Sequence, residues 1–174
     1  MPQPLENYHR LLEKVDQLCE GITRLLGDSL ACRPGCDSCC IPISVFPVEA
    51  AALLEAAAKL PQDQYQQLKQ RLSSADDSRQ CSLLYDGHCL LYHARPIICR
   101  THGLPILLTD DGGQRRVDVC PLNCTGIEQL PGEALIDLER LNELLVSVNV
   151  LYLREFGIKL PERVPLSALK DMLP

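Results

Sequence analysis

Apolar residues recur at helical spacing through the first part of the chain: Leu5, Tyr8, Leu11, Leu12, Val15, Leu18, Cys19, Ile22, Leu25 and Leu26. The polar residues Glu6, Arg10, Glu13, Lys14 and Asp16 fall largely elsewhere on the wheel, which predicts an amphipathic helix from about Leu5 to Leu26. Cys19 lies in its apolar stripe and reads as a small buried thiol. Residues Ile41 to Phe46 form a short β-prone or extended piece interrupted by Pro42. Pro47 at a first helical turn, with Glu49 two residues on, predicts a helix through the alanine-rich run to Lys59. Pro61 gives a second start signal, for a helix through Gln70 to Leu72, and Ser73–Ser78 reads as a polar connection. Pro131-Gly132-Glu133 is expected to open a long helix reaching about Phe156. Leu135, Leu138, Leu141, Leu145, Val148 and Leu151/Tyr152 lie at helical steps along it, and Gly157 suits its end. A short final helix is expected from Pro165 to Met172.

From Cys81 to Cys124 the pattern is irregular and rich in Gly, Pro and Cys, with Asp110-Asp111-Gly112-Gly113 reading as a hairpin or loop. Such a stretch cannot easily make its own apolar core, and a bound metal would supply the missing cross-links. The expected fold is mainly α with little β. Flanking helices surround an irregular cysteine-rich core at about 32–124, within a single domain covering 1–174. No internal repeat and no low-complexity tract interrupts this picture.

Composition narrows the function. The 174 residues are 46% hydrophobic, enough to bury a core without covalent staples and too apolar for a disordered chain. The net charge is −6, the basic residues are scattered, and aromatics make up 4% with no Trp, so nucleic acid is not an expected partner. No window approaches the roughly 18–20 apolar residues of a membrane span. The N-terminal Met-Pro-Gln-Pro-Leu-Glu-Asn-Tyr lacks the basic and apolar regions of a secretory signal. A reducing, cytoplasmic location is therefore expected, where clustered cysteines bind metal or do redox chemistry more often than they form disulfides.

Ten cysteines are present, and all but Cys19 lie between positions 32 and 124. Cys32, Cys36, Cys39 and Cys40 fall within nine residues. Zinc takes four tetrahedral N/S ligands, often from cysteines two to four residues apart, and Cys32/Cys36, Cys36/Cys39 and Cys120/Cys124 meet that spacing. Iron–sulfur clusters also take four thiolates, commonly three from one tight run, as Cys32, Cys36 and Cys39 or Cys40 could supply. Gly35 permits a turn that aims amide N–H groups at sulfur. In extended backbone, neighbouring side chains point to opposite sides, so Cys39 and Cys40 argue for more than one metal atom. Arg95 and Arg100 flank Cys99, where their charge would offset that of thiolates, although Arg95 reads better as a loop tie. Tyr92 reads as a packing residue. Among the histidines, His9 reads as a surface residue, and His88 and His102 read as non-ligands in so cysteine-rich a setting. No phosphate-cradling loop, Gly-x-Ser-x-Gly or His-Glu-x-x-His motif is present.

The combined pattern runs through Cys89-x-x-Tyr92-x-x-Arg95-Pro96-x-x-Cys99-Arg100 to Cys120-Pro121. Together with Cys36-x-x-Cys39-Cys40 and Cys81, it resembles the YkgJ-type cysteine-cluster family, over roughly residues 32 to 124. The resemblance implies a zinc- or iron-chelating domain, with Cys36, Cys39, Cys40, Cys81, Cys89, Cys99 and Cys120 on matching positions. Three residues separate Cys32 from Cys36 where the family pattern has two, and Cys32 completes the expected metal set. Cys124 lies just beyond the Cys-Pro. The leading expectation is a metal-binding protein holding an iron–sulfur cluster or zinc, whose removal would unfold the middle of the chain. One alternative is an S-adenosylmethionine-linked methyltransferase-like enzyme, because a flagellin lysine N-methylase carries a similar cluster. Another is a redox or metal-handling protein that passes electrons or ions to a protein partner.

Overall fold

A computed structural model describes residues 5–33, 35–74 and 79–173. Among these described residues there are five α-helices, α1 (Glu6–Leu26), α2 (Pro47–Ala58), α3 (Gln62–Ser74), α4 (Ile97–Thr101) and α5 (Leu138–Phe156). Seven short strands accompany them: β1 (Ser44–Val45), β2 (Leu84–Tyr85), β3 (His88–Cys89), β4 (Ile106–Thr109), β5 (Arg115–Asp118), β6 (Ile136–Asp137) and β7 (Val164–Pro165). The fold is mainly α with little β, as the apolar periodicity predicts. No described helix is long and apolar enough to cross a membrane.

Backbone contacts divide the chain into two units: Met1–Glu6, Pro34–Pro96 and Asn149–Pro174 form the first, Asn7–Arg33 and Ile97–Val148 the second. In the first, Leu53, Leu68, Leu72, Leu83, Leu84, Leu91, Val164, Leu166 and Leu169 bury one another in a continuous apolar core. Each such leucine contributes about 1.5–3 kcal/mol when fully removed from water. Cys81 is part of this core, and Cys40 and Cys89 pack against it. Strands β1 and β7 pair antiparallel at Ser44↔Pro165 and Val45↔Val164, tying the segment after Cys40 to the end of the chain. A 3-10 helix over Leu166–Asp171 takes the place of the expected final helix.

The start of α2 shows how polar groups are met inside this core. Glu49, only 2% exposed, accepts the Phe46 N–H at 3.0 Å. The Asn149 side chain accepts the next orphan donor, the Val48 N–H, at 3.1 Å. The expected connection Ser73–Ser78 divides: Ser73 and Ser74 close α3, and 75–78 lie outside the described residues.

In the second unit α1 forms where its apolar stripe predicts, with Tyr8, Leu11, Leu12, Val15, Ile22 and Leu26 buried. A three-stranded sheet has the order β5-β4-β6. β4 and β5 form an antiparallel hairpin closed at Asp110–Gln114, and β4 and β6 run parallel. The long helix does not open at Pro131. Residues 132–134 form a 3-10 turn, Ile136–Asp137 pairs with β4, and α5 begins only at Leu138. The Asp137 carboxylate caps it by accepting the Arg140 N–H at 3.0 Å. Its far end falls as expected, at Gly157, with Ile158 N–H returning to the Leu153 carbonyl at 3.1 Å.

Candidate metal centre

The first unit brings Cys36, Cys39, Cys40, Cys81 and Cys89 into one body. The Cys39–Cys40 segment is a tight turn rather than extended chain. Cys40 N–H donates to the Asp37 carbonyl at 2.8 Å, and Ile41 N–H to the Cys39 carbonyl at 2.9 Å. As a result the two neighbouring side chains do not point apart; their sulfurs share a hydrogen bond. The opposed geometry expected of adjacent cysteines depends on extended backbone, which this turn removes.

Cys81 joins this turn through its backbone, its N–H donating to the Cys40 carbonyl at 2.8 Å. Cys89 arrives on a hairpin: β2 and β3 pair at Leu84↔Cys89 and Tyr85↔His88, leaving Asp86-Gly87 as the two-residue loop. Both loop residues have positive φ, 47° and 72°, the combination for which Asp-Gly is suited. The His88 Nδ1 lies 2.7 Å from the Asp86 carbonyl, so this ring is engaged in the turn itself. Arg71 of α3 anchors the assembly. Its Nε donates to the Leu84 carbonyl at 2.7 Å and its second guanidinium nitrogen to the Cys81 carbonyl at 3.3 Å.

Electrostatics follow from this crowding. Burial pushes the Cys40 thiol up to about 12, and Cys39, Cys81 and Cys89 add to the rise because each disfavours a further negative charge beside it. Cys89 is also pushed up, first by burial and then by Cys81. A hydrogen bond from the Leu91 backbone and the charge of Arg95 pull it partly back. Arg95 acts as the loop tie expected, donating from Nε to the Tyr92 carbonyl at 3.1 Å. Its guanidinium lies 3.8 Å from the Tyr92 ring centre. Tyr92 is 55% exposed, so it is a surface platform for Arg95 and not the packing residue expected.

The second unit carries Cys19, Cys32, Cys99, Cys120 and Cys124. The Cys32 sulfur accepts a hydrogen bond from the Asn123 side-chain amide at 3.2 Å, and Cys32 and Cys120 both lie beside Gly103. Cys99 is on α4, and His102, which follows that helix, is exposed. Arg100 pairs with α1: one guanidinium nitrogen reaches both oxygens of Asp16, at 2.6 and 2.7 Å. Cys19 is half-buried, and its sulfur donates to the Arg100 carbonyl at 3.7 Å. Cys124 is buried in a left-handed conformation, φ 55°, and burial pushes its thiol up. Among the described residues none of the cysteines forms a disulfide, and no three His, Cys, Asp or Glu side chains are already arranged to hold one ion.

The family described as "Putative zinc- or iron-chelating domain", with the signature CxxCxxCC, matches residues 31–125, more than half of the chain. The chain belongs to this family. The CxxCxxCC match takes in every cysteine except Cys19 and spans parts of both units. No curated protein and no solved structure matches the chain. The donor chemistry fits the family's description. Thiols that suppress one another's ionisation gain from a cation, which replaces their protons and neutralises the charge they cannot share. Asn123 and Arg71, which hold the cysteine segments in place, lie outside the cysteine motif and carry no spacing signal. The Asp86-Gly87 hairpin was open to reading from its dipeptide alone.

Proposed function

We propose that the chain is a metal-binding protein that holds zinc or an iron–sulfur cluster through cysteine thiolates. In the first unit the donors are Cys39, Cys40, Cys81 and Cys89, with Cys36 on the same loop; in the second they are Cys32, Cys99 and Cys120. The observation that carries this reading is the grouping of Cys39, Cys81 and Cys89 about a Cys40 thiol that burial and their proximity hold at about 12. A purely structural core would fill that place with apolar side chains. Four soft donors suit both metals: zinc for a tetrahedral thiolate site without redox chemistry, iron with sulfide for a cluster whose potential the surroundings set. When bound, the metal would supply the cross-links that this Gly- and Cys-rich stretch lacks. The chain's own residues orient the donors: the Cys40 carbonyl fixes Cys81, the hairpin delivers Cys89, and Arg95 favours the charged form of Cys89. Free thiols in such number belong in a reducing compartment, and we place the protein in the cytoplasm.

Anaerobic purification followed by metal and acid-labile sulfide analysis tests the reading. A coloured protein with iron and sulfide establishes the cluster, and a colourless one with stoichiometric zinc establishes the zinc site. In either case Cys40→Ser and Cys81→Ser should lower the metal content. Protein that carries neither metal, and takes up neither when supplied, overturns the proposal.

A further inference from the structure

The amide of Asn123 sits 3% exposed at the centre of a small polar junction in the second unit. Its Oδ1 accepts the Ala31 N–H at 2.8 Å, and its Nδ2 donates to the Gly103 carbonyl at 2.7 Å. These two partners fix which way the amide faces, because an N–H can bond only to the oxygen and a carbonyl only to the nitrogen. The remaining N–H is thereby directed at the Cys32 sulfur, 3.2 Å away. A backbone bond from Asn123 N–H to the Cys120 carbonyl, 2.8 Å, sets the turn that places Asn123 three residues after Cys120.

A neutral thiol is a weak acceptor, whereas a thiolate or a metal-bound sulfur is a strong one. A buried amide whose last donor is committed to a sulfur is thus suited to a sulfur that ligates a cation. Gly103 completes the arrangement. At φ +91° a Cβ there would lie 2.9 Å from the Cys32 sulfur and 3.2 Å from the Asn123 nitrogen, so a side chain would push both out of place. The same point lies 3.9 Å from the Cys120 Cβ, so Cys32 and Cys120 both approach the space that the missing Gly103 side chain leaves.

We propose that Asn123 is a positioning residue for metal binding: it orients Cys32 beside Cys120 and stabilises the Cys32 sulfur as a donor to a thiophilic cation. The inference rests on the thiolate metal-binding reading above and adds to it a group outside the cysteine motif. Metal ligands are commonly oriented by such partners, whose loss costs roughly 10–100-fold in affinity.

Cobalt(II) is the probe, because its sulfur charge-transfer absorbance counts bound thiolates directly. Wild type, Cys32→Ser, Asn123→Ala and Asn123→Asp are titrated anaerobically, together with the Cys32→Ser/Asn123→Ala double variant. Thermal melting of the metal-free forms controls for folding. The expected results are a charge-transfer loss in Cys32→Ser and a cobalt affinity roughly 10–100-fold lower in Asn123→Ala. Asn123→Asp should lose more than Ala, because it turns an oxygen towards the sulfur, and Asn123→Ala should have no further effect once Cys32 is gone. If wild-type protein binds cobalt through thiolates but Cys32→Ser leaves the spectrum unchanged, Cys32 is not a donor and the inference fails alone. Additive losses in the double variant make Asn123 a structural bridge only, which also overturns it. Absence of any thiolate–cobalt absorbance in wild type overturns the metal-binding reading itself. Should Asn123→Ala melt cooperatively at a much lower temperature, the comparison of Asn123→Asp with wild type in the presence and absence of Cys32 decides the same question.

Discussion

At pH 8 a Cys40 thiol held at about 12 is almost wholly protonated, while an ordinary thiol near 9.0 is already partly ionised. The folded chain therefore binds this proton more tightly than the unfolded chain does. Where the native state holds the extra proton, stability falls as pH rises. In metal-free protein this contribution is complete below about pH 9 and is lost as pH climbs towards 12. Melting temperatures of the metal-free protein should thus decline across the alkaline range, and Cys40→Ser, which cannot titrate there, should flatten the decline. An identical slope in both proteins would mean that Cys40 is not the group responsible. With Cys40 as a ligand, as proposed above, cation uptake would expel the same proton, and affinity should then climb with pH. At this scale the sequence was informative about which atoms matter and silent about how they face. Cys39 and Cys40 were visible as a pair. Their shared hydrogen bond depends on the turn at Asp37–Ile41, which no residue spacing encodes.

Among the elements, α3 has the most direct bearing on the cysteines. Arg71 reaches from its last turn to the carbonyls of Cys81 and Leu84, so the helix pins the hairpin that delivers Cys89. Arg71→Met keeps much of the side-chain length and removes both bonds. It should destabilise the protein by about 1.5–3 kcal/mol, the range for hydrogen bonds to a charged group. It should also weaken metal affinity roughly tenfold, the low end expected when a residue that orients a ligand is lost. Denaturant unfolding and a metal titration on one preparation separate the two effects. Helices with a clear apolar stripe were legible from the sequence. For α1 and α2 the expected bounds agree with the structure to within a residue or so, because burial and a proline start signal point the same way. The start of α5 was not. Leu135 and Leu138 fit the helical period, yet Ile136–Asp137 gains more as a strand beside β4, and Asp137 then caps the helix that follows. A tertiary partner decided a choice that local pattern left open.

Over the whole molecule, the cysteines fall five to each unit, and in the first unit Cys81 belongs to a well-filled apolar core against which Cys40 and Cys89 pack. Leu53, Leu68, Leu72 and Leu83 bury one another through apolar contacts in that core. Removing metal is therefore expected to loosen the segments that carry the thiols and to spare the helices. Hydrogen exchange followed by mass spectrometry should show chelated protein losing protection first in 36–41 and 81–91, with α2 and α3 retaining theirs. Simultaneous loss across all four regions would mean that the metal holds the whole unit, the stronger dependence that the irregular sequence from Cys81 to Cys124 suggests by itself. That stretch reads as formless from its composition. In the structure it holds two hairpins, and Leu83, Leu84 and Leu91 anchor the first of them in the core.

The pairing of β1 with β7 sets the order in which a newly made chain can protect its sulfur. Ser44 and Val45 wait for Val164 and Pro165, and the core around Cys81 lacks Leu166 and Leu169 until the same moment. At roughly 5–20 residues per second, Cys36 to Cys89 leave the ribosome several seconds before that closing strand is made. During this interval the thiols stand on an unfinished scaffold, open to oxidants and to any stray soft ion. A cell that makes this protein under oxidative stress should damage it as a nascent chain far more readily than as a finished one.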